Sequence, residues 1–522
     1  MQKHILAIDL GTSGPKVAIV STTGQVMASE IEETQLILSH GGGAEQDPAD
    51  WWSAIARATR RLMESRHVPV ESLAGIGVTA QWSGTVCVDA AGKHLSHAVI
   101  WMDSRGADYV KKLTRGLIQI QGYGLSRLLK FIRLTGGAPG HSGKDSIAHI
   151  LYIQATNPSL YADTYKFLEP KDFLNLKLTG KFAATFDSIA LHWLTDNRNI
   201  NEIAYHDGLV SMAGIDRAKL PDLKRSTDII GVISPQAAAE LGLPENLPVI
   251  GGTPDIQSAA IGSGAVRDFE AHLYIGTSSW LTCHVPFKKT DLLHNMATLP
   301  SAIPGRYFIA NEQETAGYCL TYLRDKIFYA QDSLGIQPAP KDAYVRMTEA
   351  AASVPPGSDS LIFTPWLYGE RTPIEDHSVR GAFYNQSLST TRAHMIRAVL
   401  EGVAFNSKWL LGAVESFMKR RAESINVIGG GARSALWCQI LADVFDRTIR
   451  QVHDPVQANS RGVGLLAAAA LGLTTFEEIS AQIPVSATYR PNSENRAVYD
   501  SLFKEFKNIY KQNKSIYGRL NP

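Results

Sequence analysis

Apolar and polar positions change period several times along the chain, and each change predicts an element. The opening run HILAIDLG is apolar and β-branched, GTSGP supplies turn residues, and KVAIVSTTGQV resumes the strand pattern, which reads as strand, turn, strand. A second run, AHLYIGTSSWLTCHV at Ala271 to Val285, repeats this arrangement with GTS again at the turn. Two hairpins with the same tripeptide, one near the start and one near the middle, predict a duplicated architecture with one hairpin per domain. LAGIGVTAQWSGTVCVDAAGK reads as strand, polar turn and strand. SINVIGGGARSALWCQILADVFDRTIRQV gives strand, glycine-rich turn, amphipathic helix and strand, a βαβ-like unit. The basic, partly amphipathic segment from Lys112 to Leu134 predicts a surface helix packed on its own domain, in preference to a membrane-surface or partner helix. A glycine-containing boundary near Gly262 to Asp268 separates the two α/β halves.

Composition narrows the class. At 522 residues and 44% hydrophobic, the chain is too long for one ordinary core and has apolar material for two. A net charge of +1 argues against nucleic acid as a partner. Cys87, Cys283, Cys319 and Cys438 lie far apart without CxxC spacing, so they read as reduced thiols rather than a disulfide framework or zinc ribbon. The apolar run before Asp9 is too short for a signal-peptide core, and the longest one, near LLAAAALG, is about half a membrane span. A soluble cytoplasmic protein with no membrane partner is expected. His94 and His97 make an HxxH spacing without a third ligand, so they read as surface histidines.

Four stretches carry candidate chemistry. After the first strand come Asp9, Gly11, Thr12 and Ser13, with Lys16 shortly beyond: turn amides and hydroxyls suit phosphate oxygens, and the carboxylate suits Mg²⁺ directly or through water. A plain hairpin turn fits that pattern equally well, but the second turn, Gly276 to Ser278, favours a grip on a polyphosphate from both domains. Gly429, Gly430, Gly431 and Ala432 sit where a strand passes into a helix, a setting for close backbone approach of a nucleotide or for a structural turn. Trp101, Asp103 and Arg105, with Gln81, Trp82 and Ser83, combine aromatic faces, amide, hydroxyl and charge as a polyol site would; an Asp103–Arg105 surface ion pair fits as well. In GGTPDIQSAAIG, Thr253 reads as the N-cap, Pro254 as the first helical residue and Asp255 as a first-turn carboxylate that the helix N-terminus keeps ionised.

Taken in order, these motifs resemble the FGGY family of carbohydrate kinases, most closely its xylulokinase-like members. The matching stretches include DLGTSGPK (Asp9 to Lys16), EQDPADWW (Glu45 to Trp52), GVTAQWSG (Gly77 to Gly84), IWMDSR (Ile100 to Arg105), PKDFLNLKLTG (Pro170 to Gly180), GGTPDIQSAAIGSG (Gly251 to Gly264), YIGTSSW (Tyr274 to Trp280), PWLYGERTP (Pro365 to Pro373), RAVLEGVAF (Arg397 to Phe405) and GGGARSALWCQILADV (Gly429 to Val444). The resemblance implies an α/β, two-domain actin-like ATPase fold, ribonuclease H-like, with a deep interdomain cleft between residues 1–262 and 263–522. It implies ATP and Mg²⁺ as cofactors and a small sugar as substrate, and it admits a homodimer. Asp9 would serve the metal, and Gly11, Thr12, Ser13, Lys16, Gly276, Thr277, Gly317, Gly430, Gly431 and Ala432 the nucleotide. Gln81, Trp82, Ser83, Trp101, Asp103 and Arg105 would line the sugar side, and Asp255 would be the general base for γ-phosphate transfer to a sugar hydroxyl. The chain departs from the family at Trp82-Ser83, where xylulokinases carry Met-His and glycerol kinases Arg-Glu, at Asn385, and in the poorly matching segment 106–142. A pentulose such as xylulose is the leading acceptor; another ketose, a polyol or a sugar acid follows, then a non-catalytic actin-like ATP-binding protein.

Overall fold

The computed structural model of the chain describes residues 2–335 and 337–521. Strands β1 (His4–Gly11) and β2 (Gly14–Ser21) form the first hairpin, with β3 (Val26–Ile31) antiparallel to β2. Helix α1 (Pro48–Glu64) starts at Asp47, whose carboxylate caps the Ala49 N–H, and β4 (Leu73–Ala80) then joins β1 in parallel. A lobe carrying α2 (Leu125–Thr135), α3 (Ser146–Thr156) and α4 (Pro170–Thr179) follows. Three short strands, β5 (Ile229–Val232), β6 (Pro248–Ile250) and β7 (Thr253–Pro254), complete a seven-stranded sheet of order β5-β6-β4-β1-β2-β3, with β7 also paired to β4.

Helix α5 (Asp255–Gly262) leads to the second hairpin, β8 (Ala271–Ile275) and β9 (Ser279–Thr282). Strand β10 (Ser424–Ile428) lies parallel to β8, β11 (Thr448–Val452) parallel to β10, and β12 (Val485–Tyr489) antiparallel to β11. Each sheet thus begins with a hairpin whose first strand receives a later strand in parallel on its open edge. The duplication expected from the two GTS turns is present in the backbone. Helices α6 (Arg392–Met418), α7 (Ala435–Phe445), α8 (Ala458–Ala470) and α9 (Arg496–Leu520) complete the second half. Phe405, Phe417, Trp437 and Phe506 from three of them share one core with Leu273 and Ile275.

The continuous apolar run of β1 has a physical cause. Ile5, Leu6, Ala7, Ile8 and Leu10 are each 0% exposed because both faces of the strand are covered. Leu6, Ile8 and Leu10 pack with Trp51, Ile55 and Phe173, whereas Ile5 and Ala7 meet Ala467, Ala468 and Val463 of α8. A helix from the far end of the sequence therefore covers the first sheet. Where α8 crosses α5 the backbones touch: a Cβ on Gly262 would lie 1.8 Å from the Ala458 carbonyl oxygen, and one on Gly462 1.8 Å from that of Ser258.

The segment from Lys112 to Leu134 is not one helix. It comprises the end of a helix Ala107–Thr114, a two-stranded hairpin (Gln119–Ile120 with Tyr123–Gly124) and α2. Gly122, at φ 83°, turns the chain where an amphipathic helix would have to continue. Helix α2 buries Leu128, Phe131 and Leu134, and its last carbonyls accept from Lys288 Nζ of the second half. Among the described residues, no helix is long and apolar enough to cross a membrane.

Candidate active site

The first GTS turn closes between Gly11 and Gly14, and its hydroxyl does not point into open solvent. Thr12 Oγ1 donates to Gln81 Oε1 (3.1 Å) and accepts from Trp101 Nε1 (2.9 Å). The Thr12 carbonyl accepts from Gln46 Nε2 (2.8 Å), and Gln46 Oε1 accepts from Gln81 Nε2 (2.7 Å) and Trp51 Nε1 (3.3 Å). Side chains from the ends of β1 and β4 and from residue 101 thus form one network, which ties the first turn to residues expected to face the sugar. Such a network is rigid only because every member has a partner. Ser13 is exposed at the tip.

Lys16 does not reach back to that turn. Its Nζ donates to the Val456 carbonyl (2.9 Å), just before α8. Asp9, buried in the middle of the hairpin strand, faces Asn459 and Ser460 at the start of α8. Burial pushes its carboxyl up, opposed by the Lys16 charge and by the neighbouring polar side chains of Asn459 and Ser460. Among the described residues no group of three or more His, Cys, Asp or Glu could hold a metal ion unaided. One buried carboxylate is what Mg²⁺ needs when phosphate oxygens and water supply the remaining ligands, so Asp9 fits that part.

Among the residues expected to line the sugar side, Asp103 and Arg105 are not a surface pair. The Asp103 carboxylate is fully buried and accepts from the Ala44 N–H, the Arg105 N–H (both 2.9 Å) and Arg105 Nε (2.8 Å). Arg105 also donates to Glu45 Oε1 (2.5 Å) and lies over the Tyr152 ring, 4.7 Å from its centroid. Trp82 Nε1 donates to the Ser188 carbonyl (2.9 Å), and Ser83, at φ 64°, donates to the Lys144 carbonyl (2.7 Å). The next residue, Asp145, accepts from the Gly140 N–H and from Trp193 Nε1 (2.8 Å each). Lys144 turns toward the second half, with Nζ 5.7 Å from the Tyr368 ring centroid and its charge facing Glu314, Arg371 and Glu312. Arg371 is itself held by Glu314 (2.8 Å) and Glu312.

Asp255 heads α5, and its Oδ1 accepts from the Ile256 N–H (2.8 Å). Thr253 is not the N-cap: with Pro254 it pairs to β4 as β7, and Pro254 itself occupies the cap position. The expectation that the helix end keeps Asp255 ionised is also reversed. Burial first, then the charges of Asp9 and Glu312, push its carboxyl up to about 7, outweighing the backbone N–H. A carboxylate that titrates near neutrality is matched to accepting a proton from an alcohol.

The second GTS turn leaves Thr277 exposed. Behind it, the Gly317 N–H donates to the Gly276 carbonyl (2.7 Å), and a Cβ on Gly317 would come within 2.4 Å of that oxygen. Gly429 and Gly431 press on Ile275, the residue before the turn, while Gly430 faces open space. These glycines do not open a helix directly: a 3₁₀ turn, Gly430–Arg433, intervenes, and α7 is capped by Ser434 Oγ on the Trp437 N–H (3.2 Å). Ala432 is buried and its carbonyl accepts from Gln451 Nε2 (2.7 Å). Gly429 and Gly431 thus meet the second hairpin at Ile275, and Gly317 meets it one residue on, at Gly276, whereas Gly11, Thr12, Ser13 and Lys16 belong to the first hairpin. Thr277→Val is expected to raise the KM for ATP several-fold with little change in Tm; initial rates at varied ATP check this, and unchanged nucleotide kinetics would remove Thr277 from the site.

Sequence reasoning missed Asn459, Glu312, Lys144, Asp145 and Arg371. Asp9 and Asn459 are brought together only by the return of α8, and no local spacing signals that contact.

The two turns, the carboxylate of Asp255 and the polar network around Thr12 are groups of the kind that phosphoryl transfer uses. The profile of the FGGY family of carbohydrate kinases, N-terminal domain, matches residues 4–262, and that of its C-terminal domain matches residues 271–471. The chain belongs to the FGGY family of carbohydrate kinases, and its two halves have that family's actin-like fold. It is 29% identical over 525 residues to a xylulose kinase of Staphylococcus epidermidis, covering 100% of this chain and 99% of the relative. A gluconokinase of Bacillus licheniformis is 25% identical over 525 residues, covering 100% and 98%. A crystal structure of gluconate kinase from Lactobacillus acidophilus superposes with TM-score 0.86 at 23% identity, over 100% of both chains.

Proposed function

We propose that this kinase transfers the γ-phosphate of ATP to a hydroxyl of a neutral ketose, a pentulose such as xylulose in the first place, with Asp255 as general base. The observation that carries the choice of a neutral acceptor is the pairing of cations on the acceptor side. Arg105 is taken by Asp103 and Glu45, Arg371 by Glu314 and Glu312, and Lys144 faces the same two glutamates. A sugar acid would bring a carboxylate toward Asp255, which already feels the charges of Asp9 and Glu312, while Arg105 and Arg371 are each engaged by two carboxylates. The similarity to gluconokinases favours the second reading, a sugar acid.

In the proposed mechanism Gln81, Trp82 and Trp101 border the acceptor, and the network through Thr12 fixes them relative to the first phosphate turn. Asp255 takes the proton from the attacking hydroxyl as the oxygen meets phosphorus. Thr277 and the amides of the second turn donate to phosphate oxygens, with the base of the nucleotide against Gly430 and Gly431. Asp9, beside Asn459, would hold Mg²⁺ directly or through water, and the ion would neutralise phosphate charge. Approach of the two halves, 1–262 and 263–522, excludes water, which would otherwise compete as the attacking group.

The test is an ATP-consumption screen over ketoses, polyols and aldonates. A neutral ketose is expected to give the highest kcat/KM; a sugar acid ranked first would overturn the neutral-acceptor reading.

A further inference from the structure

Behind the acceptor wall lies a buried polar cluster that the transfer step does not use. Its centre is Asp187, 0% exposed, in the turn after the short strand Ala183–Thr185. Its Oδ1 accepts from Thr185 Oγ1 (2.5 Å), the Ser188 N–H (2.9 Å) and Ser226 Oγ (2.8 Å), and its Oδ2 accepts from Thr253 Oγ1 (2.5 Å). Four donors converge on one carboxylate, and the last belongs to the residue two positions before Asp255. Bonds to a carboxylate are roughly twice as strong as neutral ones, so this is a firm anchor.

The anchor sits where the chain most needs one. Gly251 and Gly252 form a joint ahead of the base, and Gly252 has φ 73° with its α-carbon pressed on β4: an added Cβ would lie 2.0 Å from the Val78 carbonyl oxygen. The Gly251 carbonyl is gripped by Lys171 Nζ (2.7 Å) and Asn175 Nδ2 (2.8 Å) from α4. The Gly251 and Gly252 N–H groups donate to the Asp228 and Ser226 carbonyls (2.8 and 3.0 Å). Between the joint and Asp255 only Thr253 has a polar side chain, and Asp187 holds it. The same turn meets the acceptor wall, because the Ser188 carbonyl accepts from Trp82 Nε1 (2.9 Å) and Ser188 Oγ donates to Asp172 Oδ2 (2.6 Å).

We propose that Asp187 is a positioning residue for the phosphoryl transfer: through Thr253 it sets the direction of Asp255, and through Ser188 it fixes that direction relative to Trp82, so that acceptor wall and base move as one piece. The proposal rests on the reading of Asp255 as general base. Asp187 touches neither substrate; it acts through Thr253.

The experiment is a set of variants assayed for kcat, KM of both substrates, ADP affinity and Tm. Thr253→Val, which removes one hydroxyl and keeps the branched shape, is expected to lower kcat roughly 10- to 100-fold with both KM values and ADP affinity within about two-fold. Thr253→Ser, which keeps the hydroxyl, is expected to stay near the parent, and Asp187→Asn to follow Thr253→Val. In an Asp255→Asn background, Thr253→Val is expected to add almost no further loss, since the group being aimed is gone. A parental kcat in Thr253→Val, an equal loss in Thr253→Ser, or a full additional loss in the Asp255→Asn background would each overturn the positioning role. Parental turnover of Asp255→Asn alone would instead overturn the base assignment. If Asp187→Asn fails to fold, the two Thr253 variants decide the question.

Discussion

Asp255→Asn turns over about 10²- to 10⁴-fold more slowly than the parent while ADP affinity is unchanged: this is the expected result if the carboxylate removes the acceptor proton and takes no part in holding the nucleotide. Steady-state kinetics with the acceptor found in the screen, together with ADP titration calorimetry, measure both halves of the statement. Near-parental turnover would remove Asp255 from the chemistry. The parent carries its own control, because burial and the charges of Asp9 and Glu312 push the Asp255 carboxyl up to about 7. Only the ionised form accepts a proton, so kcat/KM is expected to fall about tenfold per pH step below about 7. Stability runs the other way. A carboxyl pushed up to about 7 in the folded chain, against an ordinary aspartate value of 3.8, favours folding at low pH, and that contribution is lost as pH rises toward and through about 7. Asparagine has no such charge to bury. Asp255→Asn is therefore expected to melt above the parent at pH 8, with the gap closing toward pH 4, as differential scanning fluorimetry across that range would show.

Gly462→Val is expected to be nearly inactive and to lose about 3 kcal/mol or more of stability. A Cβ at this position would lie 1.8 Å from the Ser258 carbonyl oxygen, and the reciprocal position, Gly262, is equally tight against Ala458. Both obstacles are backbone, so no side-chain rotation relieves them and the two helices must separate. Separation moves the start of α5, which carries Asp255, relative to the start of α8, which carries Asn459 beside Asp9. The loss is therefore expected in kcat as well as in Tm. Gly412→Ala, in the middle of α6 with nothing within 4 Å of the new Cβ, provides the contrast: it is expected to be neutral or stabilising by about 0.5–1 kcal/mol. Parental activity and melting in Gly462→Val would show that the crossing is not a fixed point of the cleft.

Local signals in the sequence located the elements well. The apolar run at Ile5 to Leu10 and the turn residues after it are enough to place the first hairpin, and the repeat of GTS places the second. Patterns that depend on one neighbour offset from the chain were harder. Thr253 has the residue type of an N-cap, yet it pairs with Thr79 in the sheet and gives its hydroxyl to Asp187, 66 positions away. Asp103 and Arg105 look the same on paper whether exposed or buried; the Ala44 N–H that settles the matter comes from 59 positions earlier. The helix expected over Lys112 to Leu134 fails because amphipathic spacing carries no weight once Gly122 takes a positive φ. For Thr12 the place in the turn is legible, but the partners that orient its hydroxyl, Gln81 and Trp101, lie 69 and 89 positions away.

The return of α8 to the first sheet also bears on how the chain is made. During synthesis from the amino terminus, the face of β1 and β2 formed by Ile5, Ala7, Ala18 and Val20 has no cover until residues 458–470 have emerged. A nascent first half therefore exposes an apolar strip through most of translation, a stretch in which binding by a chaperone or pairing with another nascent chain competes with folding. Fragments that end near residue 262 inherit the same defect permanently, and supplying the α8 segment in trans is the direct way to mend it.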